Sequence, residues 1–309
     1  MHLDHIATGM MTGVHDVFPP DNVDANNPLS KKKLKQGNGA WATQKELLGL
    51  TFNGEHKMVW LTTNKRDAII DTLTQWLRTG STGVPFHEFQ STLSKLQHVF
   101  ITIPAGKGLL SPFFRVLSLN PPHVHLHNNA TLRLAVADCC TFLRKSISAP
   151  TKCTNLVADW PDFIGITDAL THGLGGVIVG KRRAVPPTVF RLQWPEVIRN
   201  NIVSATNPNR TITNSDLEMA GLLMLWLVIE DVCTPLTNVH VALFSDNSPS
   251  VHWVQRLAAK HSAVAMQMVR ALALRLHLLH TSPLTPLYIA GKKNALTDIP
   301  SRSFGSKPR

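Results

Sequence analysis

The spacing of apolar side chains changes character twice along the 309-residue chain. Residues 1–40 show no period: FPPDNVDANNPLSKKKLKQGNG mixes Pro, Asn, Asp and Gly with lysines and predicts irregular chain. From Trp41, WATQKELLGLTFNGEHKMVWLT alternates apolar and polar positions around Asn53-Gly54-Glu55, which predicts a β-hairpin. The repeat then lengthens. Ala68, Ile69, Leu73, Trp76 and Leu77 fall at helical spacing and are followed by the stop residue Gly80. Phe86, Phe89, Leu93, Leu96, Val99 and Phe100 line one side of a second helix, and GKGLLSPFFRVLSL and ATLRLAVADCCTFLRKSIS predict two more. A hairpin-bearing segment over 1–62 therefore precedes a small helical domain over 63–150.

The second change comes at 147–162, where ISAPTKCTNLVADWPD breaks the helical pattern and marks a boundary. Beyond it, FIGITDA, GLGGVIVGKRR and PTVFRLQW read as three short strands. A helix in SDLEMAGLLMLWLVI, a strand in NVHVALFSD, two helices in SPSVHWVQRLAAK and HSAVAMQMVRALALRLHLL, and a last strand in PLTPLYIAG follow. Strands and helices in this order predict an α/β domain over 151–309.

Composition narrows the function. At 43% hydrophobic and 17% charged residues the chain has the material for packed cores, unlike a disordered tail. Its longest apolar run, MAGLLMLWLVI at 219–229, is too short to span a bilayer and is flanked by Glu218 and Glu230, so no membrane partner is expected. The opening MHLDHIATGM lacks a signal peptide's basic-then-apolar order, and the four cysteines include no CxxC pair. An intracellular protein with reduced thiols, cytoplasmic or nuclear, is the expectation. The net charge of +11 is shared: residues 1–150 carry 15 Lys/Arg against 10 Asp/Glu, and 151–309 carry 16 against 10. Two basic halves suit a polyanionic partner such as nucleic acid, through phosphate neutralisation and counterion release. The run Lys31-Lys32-Lys33-Leu34-Lys35 fits a phosphate contact, a localisation signal or a solvated surface.

The chemistry lies in the scarce acids. Asp168 closes the first strand of the α/β domain, Glu218 sits in the first turn of its first long helix, and Asp246 closes the fourth strand. Asp298, in IAGKKNALTDIPSR, is the one acid after Asp246 and stands among lysines. Each has an ordinary alternative. Ser215-x-x-Glu218 has capping-box spacing, Asp246 suits a turn or an N-cap, and Asp168 suits a turn. Together they occupy element ends that can meet at one edge of the sheet, where α/β folds build sites. Four carboxylates share a small space only when cations neutralise them, and hard oxygen ligands point to two Mg²⁺ or Mn²⁺ ions acting on a phosphate substrate.

With these residues in place, the second half resembles the ribonuclease H domain of retrotransposon polyproteins. That family carries a TDAS-x-x-GxG first strand, matched by TDALTHGLGG at 167–176; a helix with LE near its start, matched by DLEMAGLL at 216–223; and an aspartate ending a strand, matched by FSDNSPSVHWV at 244–254. It closes on GK-x-N-x-x-AD-x-x-SR, and GKKNALTDIPSR fits at Gly291, Lys292, Asn294, Asp298, Ser301 and Arg302. Upstream, residues 14–118 look like the end of a polymerase palm, with the hairpin that grips the primer, followed by thumb and connection.

The resemblance implies an RNase H-like mixed five-stranded sheet with flanking helices, preceded by a hairpin and a small helical domain. It implies two-metal hydrolysis of the RNA strand of RNA–DNA hybrids, with Asp168 bridging both ions, Asp298 completing the ion that activates water, and Glu218 and Asp246 on the leaving side. Glu218 would lie near a ribose 2′-hydroxyl. Lys181, Arg182 and Arg183, after the second strand, fit either phosphate contacts or a solvated loop; Asn214 and Asn247 are candidates for contacts near the sugar, Lys292, Lys293 and Arg302 for further nucleic-acid contacts, and the remainder of a polyprotein is an implied partner. Two departures stand out. No YxDD-type motif occurs, so this chain alone is expected not to polymerise DNA; and Leu170 replaces the family's serine, with no histidine about ten residues before Asp298 and His280 lying 18 positions away. A catalytically inactive nucleic-acid-binding remnant fits the same residues and differs by binding hybrid without cleaving it. A transposase or integrase would carry a glutamate last, where this chain has Asp298.

Overall fold

The computed structural model describes residues 12, 16 and 42–302, apart from 79–82, 147–149, 157–159, 181–185, 234, 237–238, 260 and 280–283. The Lys31–Lys35 run lies outside the described residues.

The predicted hairpin is the second half of a larger element. Strands β1 (Gln44–Leu47), β2 (Leu50–Asn53) and β3 (Met58–Leu61) form an antiparallel meander. Its first turn is Leu48-Gly49, with φ of 54° and 79°. Two positive φ values in succession give the hairpin turn that matches strand twist, but leucine rarely adopts one, so the sequence carries no strong signal there. Helix α1 (Thr63–Arg78) follows and buries Ile69, Leu73 and Trp76. Strand β4 (Val84–Pro85) leads into α2 (Phe86–Val99); a 3₁₀ turn at Pro104–Leu109 leads into α3 (Ser111–Leu119). Strand β5 (His123–Val124) pairs with β4, and α4 (Ala130–Lys145) follows. One core joins meander and helices: Leu50, Val59 and Leu61 pack with Leu73, Leu132 and Phe142. At its centre Trp76, Phe89 and Phe113 stack in a row with 5.7 Å between successive ring centroids. Strand β6 (Thr151–Lys152) returns to pair with β3.

The second unit has the predicted architecture, a mixed five-stranded sheet with flanking helices. Strands β7 (Phe163–Ala169), β8 (Gly173–Gly180) and β9 (Thr188–Gln193) are antiparallel neighbours. After the short helix α5 (Glu196–Arg199) and the long helix α6 (Asn214–Val232), β10 (Val241–Ser245) pairs parallel to β7. Helices α7 (Ser248–Arg256) and α8 (Ala263–Leu278) lead to β11 (Thr285–Tyr288), parallel to β10, and α9 (Ala295–Arg302) closes the unit. The sheet order is β11-β10-β7-β8-β9. Among the described residues no helix is long and apolar enough to cross a membrane; α6 instead buries Leu222, Leu225, Trp226 and Ile229.

The start of α6 corrects one expectation. Its capping box is Thr213 with Asp216, not Ser215 with Glu218. Thr213 Oγ1 accepts from the Asp216 N–H, and Asp216 Oδ2 accepts from the Thr213 N–H at 2.8 Å and from its hydroxyl at 2.7 Å. The other oxygen of Asp216 accepts from Ser262, the N-cap of α8. Starting two residues earlier, the helix leaves Glu218 out of the cap and turns it toward the sheet.

The two units pack directly. Arg270 of α8 pairs with Asp138 of α4 at 2.6 Å, His277 stacks on Phe142 at 3.9 Å between centroids, and the Ala259 N–H donates to Ser111 Oγ. Asp216→Ala removes the capping bonds of α6 and the acceptor for Ser262, so urea denaturation should show a loss of about 1–3 kcal/mol. Asp216→Asn, which keeps an acceptor oxygen, should lose less than Asp216→Ala.

Candidate metal centre

Two parallel strands bring the first two acids together. β7 and β10 are in register at Ile166 and Phe244, and Asp168 and Asp246 each lie two positions further along. A period of two keeps both on the face of the registered pair, so they emerge side by side where the strands end. Helix α6 supplies Glu218 from across that face. Oxygens of Asp168, Glu218 and Asp246 all lie within 4.8 Å of one another. Asp168 and Glu218 are buried, at 6% and 2% exposure, while Asp246 is half-buried and opens the centre to solvent.

Hydrogen bonds aim these groups. Glu218 Oε1 accepts from the Ala169 N–H at 3.3 Å and Oε2 from Ser245 Oγ at 3.2 Å. Asp168 Oδ2 accepts from Ser301 Oγ at 2.6 Å. Burial, then the charges of Asp168 and Asp246, raise the Glu218 pKa from its ordinary 4.5 to about 8, against the opposing effect of the Ala169 and Ser245 bonds. A carboxyl that holds its proton because it is buried beside other carboxylates is one that a divalent cation would ionise. The donor set, three hard oxygens with no sulfur or imidazole among them, fits Mg²⁺ or Mn²⁺.

Asp298 lies on α9, and its side chain is outside the described residues. The helix itself is fastened to the centre. Asn294 Nδ2 donates to the Thr167 carbonyl at 3.3 Å, Thr297 Oγ1 bonds back to Asn294, and Ser301 holds Asp168. Gly175, opposite Asp168 on β8, allows this approach: a Cβ there would meet the Ser301 nitrogen at 2.6 Å. Gly291 does the same beside Asp246, where a Cβ would stand 2.9 Å from Oδ2. Asp298 therefore sits on an element whose two ends are tied to the site.

Of the implied nucleic-acid contacts, Lys292 and Lys293 are exposed in the turn that precedes α9, next to Gly291. Asn214 is exposed at the start of α6. Asn247 caps α7, its side-chain oxygen accepting from the Ser250 N–H at 3.0 Å. Lys181, Arg182, Arg183 and His280 lie outside the described residues, as does the side chain of Arg302. The roles of Ser245, Asn294 and Ser301 went unread in the sequence, although Asn294 and Ser301 stand in the closing motif. His172 is exposed in the β7–β8 turn, which Trp194 grips through its own N–H on the His172 carbonyl and its indole N–H on the Leu170 carbonyl.

No family model and no curated protein matches the sequence. Among solved structures, the chain is similar to LC11-RNase H1 in complex with RNA/DNA hybrid: 16% identity, 45% of this chain and 92% of that one, TM-score 0.33. RNase H1 from the halophilic archaeon Halobacterium salinarum is 12% identical over 45% of this chain and 91% of that one, TM-score 0.30. The foamy viral protease-reverse transcriptase in complex with RNA/DNA hybrid is 11% identical over 86% of this chain and 32% of that one, TM-score 0.28. The chain thus spans about a third of that viral protein. These likenesses are distant, and the chemistry of the centre follows from its own residues.

Between pH 4.5 and 8 the native metal-free protein keeps a proton on Glu218 that the unfolded chain has lost. Its stability should therefore fall as pH rises through that window. Urea midpoints measured in chelator from pH 4.5 to 8.5 should show the fall in wild type and a flatter profile in Glu218→Gln. Adding Mn²⁺ should raise the midpoint, more at pH 8 than at pH 5, because binding requires the ionised carboxylates.

Proposed function

We propose that the chain is a retroelement-derived ribonuclease H that hydrolyses the RNA strand of RNA–DNA hybrids at the Asp168, Glu218 and Asp246 centre, with Asp298 as the fourth ligand. The observation that carries this reading is the convergence of three carboxylates from β7, α6 and β10 within 4.8 Å, beside a helix that bears the fourth. The closing motif supports it through Asn294 and Ser301, which fasten that helix to Thr167 and Asp168. The four acids would hold two Mg²⁺ or Mn²⁺ ions. When bound, such ions lower the pKa of an attacking water and neutralise charge on the scissile phosphate.

The chain's own groups do the rest. Ser301 and Ser245 fix the carboxylates in one orientation, so that little reorganisation remains when substrate arrives. Burial of Asp168 and Glu218 keeps bulk water from screening their charges, while Asp246 faces the side from which a phosphate can approach. Lys292 and Lys293 add positive charge at the rim for the substrate backbone. The remainder of a retroelement polyprotein is the proposed source of any polymerase function.

The test is cleavage of a labelled RNA–DNA hybrid in Mg²⁺. Wild type should cut the RNA strand and spare a DNA duplex of the same sequence, and Asp246→Asn should cut at least about 100-fold more slowly. Equal cleavage by both proteins would remove the centre, and hybrid binding without cleavage by wild type would favour the inactive remnant. Ser301→Ala should raise the Mg²⁺ concentration needed for half-maximal rate by about 10-fold or more while sparing much of the rate at saturating metal, the pattern of a residue that orients a ligand.

A further inference from the structure

A cleft of about 860 Å³ lies between the two units, away from the carboxylates. One wall comes from the helical unit, with Lys107 on the 3₁₀ turn and Phe114 on α3; the other has His252, Trp253 and Arg256 on α7 and His261 on the connection to α8. No Asp or Glu lines it. Lys107, His252, Arg256 and His261 are exposed, and none of them forms an ion pair among the described residues. Phe114 and Trp253 are half-buried, each packed on a core by one side. The walls are fixed relative to one another: Gly108 packs on Ala273 of α8, and Ser111, which also lines the cleft, accepts the Ala259 N–H.

We propose that this cleft binds a short run of single-stranded nucleic acid, with phosphates on Lys107 and Arg256 and bases against Trp253 and Phe114. A positive groove with aromatic walls is the general chemistry of single-strand binding, because every base has a π-face that an aromatic ring can cover. A duplex keeps its base faces stacked inside and would leave the aromatic walls without a partner. The volume lies in the range that encloses a small ligand, on the order of one or two nucleotides, and the histidines add ring N–H donors for sugar or phosphate oxygens. An acidic peptide would satisfy the cations but not the rings. The inference goes beyond the nuclease reading and does not depend on it.

Fluorescence anisotropy of the full chain with a labelled single-stranded oligodeoxythymidine, in chelator, tests it without involving cleavage. Wild type should bind with a salt-dependent affinity. Lys107→Ala/Arg256→Ala, at two exposed positions, should bind about 10-fold more weakly and lose roughly 1.4 from the slope of log affinity against log salt, at about 0.7 per phosphate contact. The charge-conserving Lys107→Arg/Arg256→Lys should restore the slope, and a photoactivatable 5-iodouracil in the oligonucleotide should cross-link within residues 248–256. Unchanged affinity and slope in the alanine variant would overturn the proposal. So would displacement of the oligonucleotide by a blunt DNA duplex or by polyglutamate at the same concentration of charge. Because the probe is DNA and no metal is present, failure here leaves hybrid cleavage to be judged separately, and loss of cleavage in Asp246→Asn says nothing against the cleft.

Discussion

Like charges at close range in a buried place are the constraint around which the α/β unit is arranged. Asp168, Glu218 and Asp246 lie within 4.8 Å, two of them almost fully buried, and Glu218 answers by holding its proton to about pH 8. Such a cluster weakens a fold unless its groups are hydrogen-bonded and a cation is available. The first condition is met by the protein itself: the Ala169 N–H and Ser245 serve Glu218, and Ser301 serves Asp168. The second is what the proposed metal occupancy would supply.

Several otherwise unrelated features serve this convergence. Parallel pairing of β7 and β10 puts two aspartates side by side because their positions past the registered pair are equal. The Thr213–Asp216 cap fixes where α6 begins, and therefore which face Glu218 occupies two residues later. The same Asp216 binds Ser262 at the start of α8, so one carboxylate couples the phase of the ligand-bearing helix to the helix that packs on the first unit. A chain of contacts thus runs from the Arg270–Asp138 pair along α8 to Ser262, and through Asp216 to the start of α6.

Legibility of the sequence followed the strength of local pattern. The long helices were readable because apolar residues recur at helical spacing, as Ile69, Leu73 and Trp76 do, and the strands of the second unit because each is short, apolar and bounded by turn residues. The Leu48-Gly49 turn was not, since leucine at φ 54° has no sequence signature. Short α5 was missed for want of a full helical repeat in Glu196–Arg199. The capping box was placed two residues late because Ser215-x-x-Glu218 and Thr213-x-x-Asp216 both have the spacing. Only the direction in which Glu218 had to face separates them.

What the sequence determined by itself was the alternation of elements and the position of scarce acids at their ends, both consequences of local periodicity and of the small number of carboxylates in a basic chain. Which of those acids share a space was decided by the tertiary structure. Strand register, helix phase and the close seating of α9 on Gly175 depend on residues far apart in the chain, and no local pattern encodes a distance between them. The cleft between the units belongs wholly to that second category: Lys107 and Arg256 are unremarkable surface cations until packing brings them to the lining of one cleft with Phe114 and Trp253.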